Sequence, residues 1–440
     1  MKLGGWGRFP VLETTLTAPR DTAALAAALD GTAVIARGNG RAYGDSAVSP
    51  RTTVQMRHFN RLLAFDDSTG QLVAEAGVLL ADVIAAFLPR GWFPMVTPGT
   101  KFVTLGGMIA ADVHGKNHHC DGSMAACVDW IDIMDATGAV QRCSPHDNAD
   151  LFRWTLGGMG LTGIILRAAI RLRPVETGWI RQSLHPAPDL AAAMAAFEAA
   201  QDATYSVAWI DCLRRGDGMG RSLVMLGEHA PRNTLPPRWR ADPYALAPKR
   251  TLSVPFDMPG FALNGVTVRA FNQLYYWNGS RKAGTALVDW DSYFYPLDAI
   301  LGWNRIYGRR GFLQFQCALP LEASEAGLTA LLRAISDAGA GSFLAVLKRF
   351  GAQDSPFSFP MLGYTLALDF PVTRKTLDLM TRLDRITIDH GGRFYLAKDS
   401  RMTAETLRAC DSRTPNFIDM RDRTNARDRF RSAQSERLAL

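Results

Sequence analysis

Residues 97–120, TPGTKFVTLGGMIAADVHGKNHHC, decide how the rest of the chain is read. A turn at Pro98 and Gly99 leads to the pair Gly106 and Gly107, then to an apolar run over 108–111, then to His114, Gly115, Lys116 and Asn117 in succession. Glycines let backbone N–H groups approach an anion with no Cβ in the way, and successive amides of this kind form anion-binding nests. The stretch reads as one side of a pyrophosphate cradle. The competing reading is a glycine-rich turn between core elements, and other parts of the chain must separate the two.

Working outward, a second glycine loop lies upstream. The run 21–29, DTAALAAAL, opens on Asp21 as N-cap and predicts a short helix. A strand-like run over 32–36 follows and ends in RGNGRAYGD, residues 37–45. A nicotinamide-type fingerprint needs GxGxxG between a strand and a helix. Here the chain passes through Ser49 and Pro50 into another alternating segment, 52–56, which weakens a doubly wound reading. Gly158, Gly160 and Gly163 do match GxGxxG, yet they precede the strand-like run 164–172 instead of following one. Between the loops, 71–76 reads as a strand, and 80–88 as a helix with Val83, Ile84 and Phe87 on one face. Residues 129–137 and 139–142 read as a strand pair turning at Gly138.

The 440 residues are too many for one ordinary core, and 47% hydrophobic with 21% charged residues is the makeup of a globular protein with sizeable cores. The net charge is +7, but 49 basic residues are interspersed among 42 acidic ones, which disfavours nucleic acid and leaves anionic substrates or an anionic membrane surface. Cys120, Cys127, Cys143, Cys212, Cys317 and Cys410 show no CxxC and no repeated spacing, so reduced thiols are expected. The N-terminus lacks a signal-peptide apolar core, and no stretch of about 18 apolar residues occurs, which predicts a cytoplasmic protein.

After Pro174 the texture changes. Residues 189–200 predict an alanine-rich helix. Seven prolines and five basic residues over 231–260 exclude regular structure and mark a candidate lid. Residues 302–311, GWNRIYGRRG, form a second basic and aromatic candidate, and both suit contact with lipid phosphate or a membrane face. In 311–320 Leu313, Phe315 and Cys317 alternate with Gln314 and Gln316, as in a half-buried strand whose polar face can line a pocket. Residues 342–350 and 364–370 are further strands. The arginine-rich tail 421–437 reads as a solvated helical face.

Taken together, RGNGRAYGD, PGT with TLGG, DVHGKNHH, GGMGLTGII (157–165) and YLAKDSR (395–401) resemble the FAD-linked oxidases of the vanillyl-alcohol oxidase superfamily. WNRIYG and GFLQFQ extend the likeness to the branch that oxidises decaprenylphosphoryl-β-D-ribose in cell-wall arabinan-precursor synthesis. The resemblance implies an α+β, two-domain, PCMH-type fold. Residues 1–178 and 393–440 would form the FAD-binding domain, and 179–392 a substrate domain built on an antiparallel sheet. It further implies that Arg37, Gly38, Asn39, Gly40, Arg41, Ala42, Tyr43, Gly44, Asp45, Ser46, Ala47, Gly99, Thr104, Leu105, Gly106, Gly107, His114, Gly115, Lys116, Asn117, Ile165 and Tyr395 contact the flavin nucleotide, with pyrophosphate amides from the first loop and from 104–107. Covalent members carry a histidine where this chain has Arg41, and the segment 114–117 offers no cysteine, so FAD is expected to be noncovalent.

The implied reaction is oxidation of the 2′-hydroxyl of a polyprenylphosphoryl-β-D-ribose to the 2′-keto sugar, the first half of epimerisation to the arabinose form. A short-chain NAD-dependent reductase would complete it, and peripheral membrane contact is a further expectation. His114 and Lys398 are the candidates for the base, since imidazole titrates near neutrality and burial can lower an amine. Lys116, Trp209, Gln314, Gln316, Lys348 and Lys398 are expected to hold substrate, with Tyr43 near the sugar or flavin. Two departures from mycobacterial members touch the pocket: Ala367 stands where they have a cysteine, and Phe294 precedes Tyr295, Pro296, Leu297 and Asp298 where they have a tyrosine before His-Pro-Leu-Asp. Adjacent His118 and His119 point apart and have no second ligand cluster, so no metal is expected. The alternatives are an oxidase of a soluble alditol or aldonolactone, and a flavin-free polyprenyl-phosphate-binding subunit.

Overall fold

The computed structural model describes residues 1–29, 31–246, 252–259, 265–342 and 344–440. A three-stranded parallel sheet runs in the order Thr15–Thr17, Thr52–Gln55, Val34–Arg37. Between Thr15–Thr17 and Val34–Arg37, the helix Thr22–Ala27 is capped by Asp21, whose carboxylate accepts from the Ala24 amide at 2.8 Å. The second sheet is antiparallel, in the order Val140–Cys143, Val128–Met134, Ile164–Pro174, Gln71–Glu75, Leu62–Asp66, with Trp92–Pro94 beside the end of Ile164–Pro174. The helix Leu80–Phe87 lays Val83, Ile84 and Phe87 into the core over this sheet, as its periodicity predicts.

An eight-stranded antiparallel sheet forms the other half, in the order Gly284–Asp289, Trp179–Ala187, Ser222–His229, Tyr205–Ile210, Ala345–Phe350, Gly363–Pro371, Phe312–Pro320, Arg393–Phe394. Strand alternation gives it two unlike faces. Leu313, Phe315, Cys317, Leu366, Leu368 and Phe370 join the core under the helices Leu190–Glu198, Leu321–Ala338 and Arg374–Asp389. Gln314, Gln316, Lys348, Ala367 and Asp369 face the opposite way, toward the glycine loops. After Arg393–Phe394 the chain returns to the first body: Leu396, Met402, Leu407, Phe417, Met420, Leu438 and Leu440 share a core with Ile35 and Leu161. This mixed helical and antiparallel arrangement is α+β and two-domain, as the resemblance implies.

Three expectations are corrected. The proline-rich stretch contains short regular pieces: a 3-10 turn at Arg232–Thr234, a helical turn at Pro237–Arg240 and a strand Leu252–Ser253 paired with Ile300–Leu301. Proline is tolerated in the first turn of a helix, where its missing N–H has no partner to lose. Pro248, Lys249, Arg250 and Gly260 of that stretch lie outside the described residues, as does Phe343 of the predicted strand 342–350. Residues 302–311 are only half lid-like, because Trp303 and Tyr307 pack against Phe312 while Arg305, Arg309 and Arg310 are exposed. The tail is not a solvated face. Arg421 is 0% exposed and donates to the Leu161 and Phe430 carbonyls at 3.0 and 2.6 Å, and Arg437 pairs with Asp45 and Asp399 at 2.7 and 2.8 Å. All six cysteines are free thiols, and among the described residues no helix is long and apolar enough to cross a membrane.

Candidate active site

The first glycine loop is held from behind. Arg37 donates to the Gly4 and Ala47 carbonyls at 2.9 and 3.3 Å, and its guanidinium lies where a Cβ on Gly40 would fall, 2.3 Å away. Gly40 has a φ of +64°, a left-handed conformation that glycine adopts without strain. Tyr43 N–H donates to the Ala397 carbonyl at 3.0 Å, tying this loop to the YLAKDSR segment. Asn39 Nδ2 reaches the Phe102 carbonyl at 2.7 Å, and a Cβ on Gly38 would lie 2.1 Å from Thr104 Oγ1, so the two loops pack in contact. Among the described residues the backbone N–H groups of Asn39, Gly40, Arg41 and Ala42 meet no acceptor. Four successive free amides of this kind are an anion nest.

The second loop contributes differently from its prediction. The amides of Leu105 and Gly106 are taken by the Val78 and Ala76 carbonyls at 2.9 and 2.8 Å, and that of Gly107 by Thr104 Oγ1 at 3.3 Å. Its glycines therefore furnish a smooth wall and not donors.

Between these loops and the inner face of the large sheet lies a cavity. Gly38, Asn39, Gly40, Arg41, Ala42, Tyr43, Ser46, Ala47, Gly99, Thr104, Gly106, Gly107, His114, Ile165 and Tyr395 line it, as do Gln314, Gln316, Lys348 and Lys398. Other expected residues stand behind that wall. Besides Arg37, these are Gly44, packed on the Asp399 carbonyl; Asp45, paired with Arg437; Leu105, in the core; and Gly115. Asn117 is turned to the Met95 carbonyl and Asp121, both at 2.7 Å.

Two substrate-binding expectations are likewise corrected. Lys116 Nζ donates to the Tyr293 carbonyl and sits 4.2 Å from the centre of the Tyr293 ring, outside the cavity wall. Trp209 faces the same side of the sheet as Val346, its cross-strand partner, but packs with Leu184, Leu223 and Tyr275 beside the cavity. Of the two departures, Ala367 lines the cavity, whereas Phe294 and Tyr295 are buried away from it.

The structure adds residues not foreseen. Asp369 lines the cavity and accepts from Gln314 Nε2 at 2.5 Å. Its signal was present in the alternation of 364–370, which sets Thr365, Ala367 and Asp369 opposite Leu366, Leu368 and Phe370. Gly160 and Gly163 also line the cavity, so the GxGxxG match supplies wall although its context is wrong for a dinucleotide turn.

The electrostatics separate the two candidate bases. His114 Nε2 accepts from Gln316 Nε2 at 3.2 Å, while Nδ1 is buried with no partner. Burial, helped by Lys348, His118 and Lys398, holds His114 well below the usual histidine range, so the ring is neutral near pH 7. Lys398 Nζ lies 3.8 Å from the centre of the Tyr43 ring with no carboxylate within ion-pair distance among the described residues. Burial pulls its amine down to about 7, Asp369 opposing and Lys348 adding to the effect. Burial also lowers Lys348 to about 8 and pushes Asp369 upward. The cavity thus holds an amine that can give or take a proton near neutrality.

Among the described residues no group of three His, Cys, Asp or Glu side chains is placed to hold a metal. A nucleotide cofactor fits the residues present: the free amides of the first loop suit a pyrophosphate, and the partnerless Arg41 Nε and His114 Nδ1 lie on the cavity wall.

Comparison with known proteins agrees. Residues 16–144 match an FAD binding domain. The decaprenylphosphoryl-β-D-ribose oxidase of Mycolicibacterium smegmatis is 36% identical over the whole chain and 97% of that protein. An uncharacterized protein of Streptomyces coelicolor is 34% identical over 80% of this chain and 97% of its own. The L-gulonolactone oxidase of Mus musculus is 31% identical over 31% of each chain. The flavin-free alternative falls with these matches. The chain belongs to the family of FAD-linked oxidases that includes decaprenylphosphoryl-β-D-ribose oxidase, and it is an FAD-dependent oxidoreductase.

Proposed function

We propose that the chain oxidises the 2′-hydroxyl of a polyprenylphosphoryl-β-D-ribose to the 2′-keto sugar, using noncovalent FAD. Residues 1–178 with 393–440 form the FAD-binding domain and 179–392 the substrate domain. The observation that carries the reading is the polar floor of the cavity: Gln314, Gln316, Lys348 and Asp369 face the glycine loops from one sheet. The full-length relative named for this oxidation supports the choice of substrate.

In this reading the amides of 39–42 hold the pyrophosphate, and Gly106, Gly107, Gly160 and Gly163 let the nucleotide lie close to the backbone. Bound FAD supplies the hydride acceptor. Lys398, as the free amine, takes the hydroxyl proton, and Asp369 stabilises the ammonium that results. Gln314, Gln316 and Lys348 hold the sugar hydroxyls, which fixes the reacting C–H against the flavin. His114 is neutral and already engaged, so it positions Gln316. A short-chain NAD-dependent reductase would then reduce the keto sugar from the other face to complete epimerisation.

Anaerobic mixing of the yellow protein with a polyprenylphosphoryl pentose tests the reading. Bleaching of the flavin is expected. Bleaching by free alditols or aldonolactones alone would replace this substrate with a soluble one.

A further inference from the structure

Fifteen large apolar residues are exposed among the described residues, and eight of them fall within 252–301, including all four exposed aromatic rings. Scattered apolar residues need no explanation, whereas a cluster of this kind marks a contact surface. The helix Gly265–Ser280 is tied to the sheet through Asn272, whose Nδ2 donates to Asp211 at 2.7 Å, Gln273, whose Oε1 accepts from Arg221 at 3.0 Å, and Tyr276, whose Oη donates to the Ala187 carbonyl at 3.3 Å. Leu274 and Trp277, one turn apart on its outer side, are 62% and 52% exposed. Phe256 is 63% exposed, and Leu301, at 47%, also lines the cavity.

The charges are mostly of one sign. Residues 265–283 and 300–311 contain Arg269, Arg281, Lys282, Arg305, Arg309 and Arg310, all exposed, and no carboxylate, while Asp257 beside Phe256 is paired with Arg8 at 2.6 Å. Exposed apolar and aromatic side chains interleaved with cations are what an interfacial segment needs: rings enter the headgroup layer while arginine and lysine meet anionic lipid. The face adjoins the cavity, because Ile300, Leu301, Gly302 and Trp303 line it and Tyr275 packs on Trp209 at 4.8 Å, beside Val346.

We propose that the outer side of the Gly265–Ser280 helix, with the ribbon Leu252–Ser253 and Ile300–Leu301, docks on a bilayer containing anionic lipid and sets the cavity mouth at its surface. The proposal rests on the polyprenyl-phosphate reading of the substrate, whose tail would then stay in the bilayer while the sugar enters the cavity.

Sedimentation of the FAD-loaded protein with vesicles tests it, comparing phosphatidylcholine alone with phosphatidylcholine containing about 30% phosphatidylglycerol. Binding to the anionic vesicles is expected, weakening as salt rises from about 0.1 to 0.5 M. The double variant Leu274→Ser/Trp277→Ser is expected to bind about tenfold more weakly or worse, with its flavin absorbance and melting temperature retained. Wild type that stays in the supernatant with both vesicles overturns the proposal, as it would if a protein partner covered this face. So does a double variant that binds like wild type. Vesicle binding by a protein that fails to oxidise polyprenylphosphoryl pentoses supports the membrane face and removes the substrate reading alone.

Discussion

Gln316 Nε2 donates to His114 Nε2 at 3.2 Å, a bond that joins the strand Phe312–Pro320 of the large sheet to the HGKN segment of the glycine-loop half. It occupies the lone pair a general base would use. Burial first, then Lys348, His118 and Lys398, keep the ring from charging. His114 is therefore expected to show no titration between about pH 6 and 8 in ring-carbon NMR. A midpoint within that range would return it to candidacy as the base.

Lys398 carries the opposite expectation. An amine lowered to about 7 is unprotonated above that pH, so the rate of flavin reduction by substrate should rise with pH through about 7. In Lys398→Met that limb should vanish, with the rate down by about 10²- to 10⁴-fold. Stopped-flow absorbance of the flavin across pH measures both, and an unchanged limb would remove Lys398 from proton transfer.

Asp369 raises the Lys398 amine against the effect of burial. Removing its charge in Asp369→Asn should move the Lys398 limb to lower pH, by about one unit. The same stopped-flow profile reads the shift. A profile that only drops in height would make Asp369 a sugar-binding group without influence on the amine.

The cofactor attachment is directly testable. Arg41 lies over the Trp6 ring at 4.1 Å on the cavity wall and has no nucleophilic atom for a flavin link. Acid precipitation should release the yellow colour to the supernatant as intact FAD, identified by chromatography. A yellow pellet would contradict noncovalent binding.

Arg437 bridges Asp45, next to the first glycine loop, to Asp399, next to Lys398. Arg437→Met leaves two buried carboxylates without their cation, at a cost of roughly 3 to 5 kcal/mol. A lower melting temperature and weaker retention of FAD on dialysis are expected. Loss of stability with FAD retention unchanged would mean the loop is held by its other contacts.

Several features were legible without coordinates because they are local. Asp21 as a cap, Val83, Ile84 and Phe87 on one helix face, and the split of Gln314 and Gln316 from Leu313 and Phe315 follow from the helical and strand periods. The first glycine loop was readable for the same reason, since only glycine frees its neighbours' amides. Failures came where burial depends on distant partners. Arg421 and Arg437 look like solvated arginines until residues 161, 45 and 399 fold around them. Lys116 and Trp209 lie on the right elements and face the wrong neighbours.

The sequence by itself determined the family, the glycine loops and the two-faced strands, because those depend on residue type at short spacing and on likeness along the whole chain. Only the tertiary structure decided which side chains share the cavity, which loop keeps its amides free and which of His114 and Lys398 titrates near neutrality. The cavity is assembled from segments as far apart as residues 38 and 398. Desolvation and neighbouring charge, which set the protonation of Lys398, exist only once those segments exclude water together.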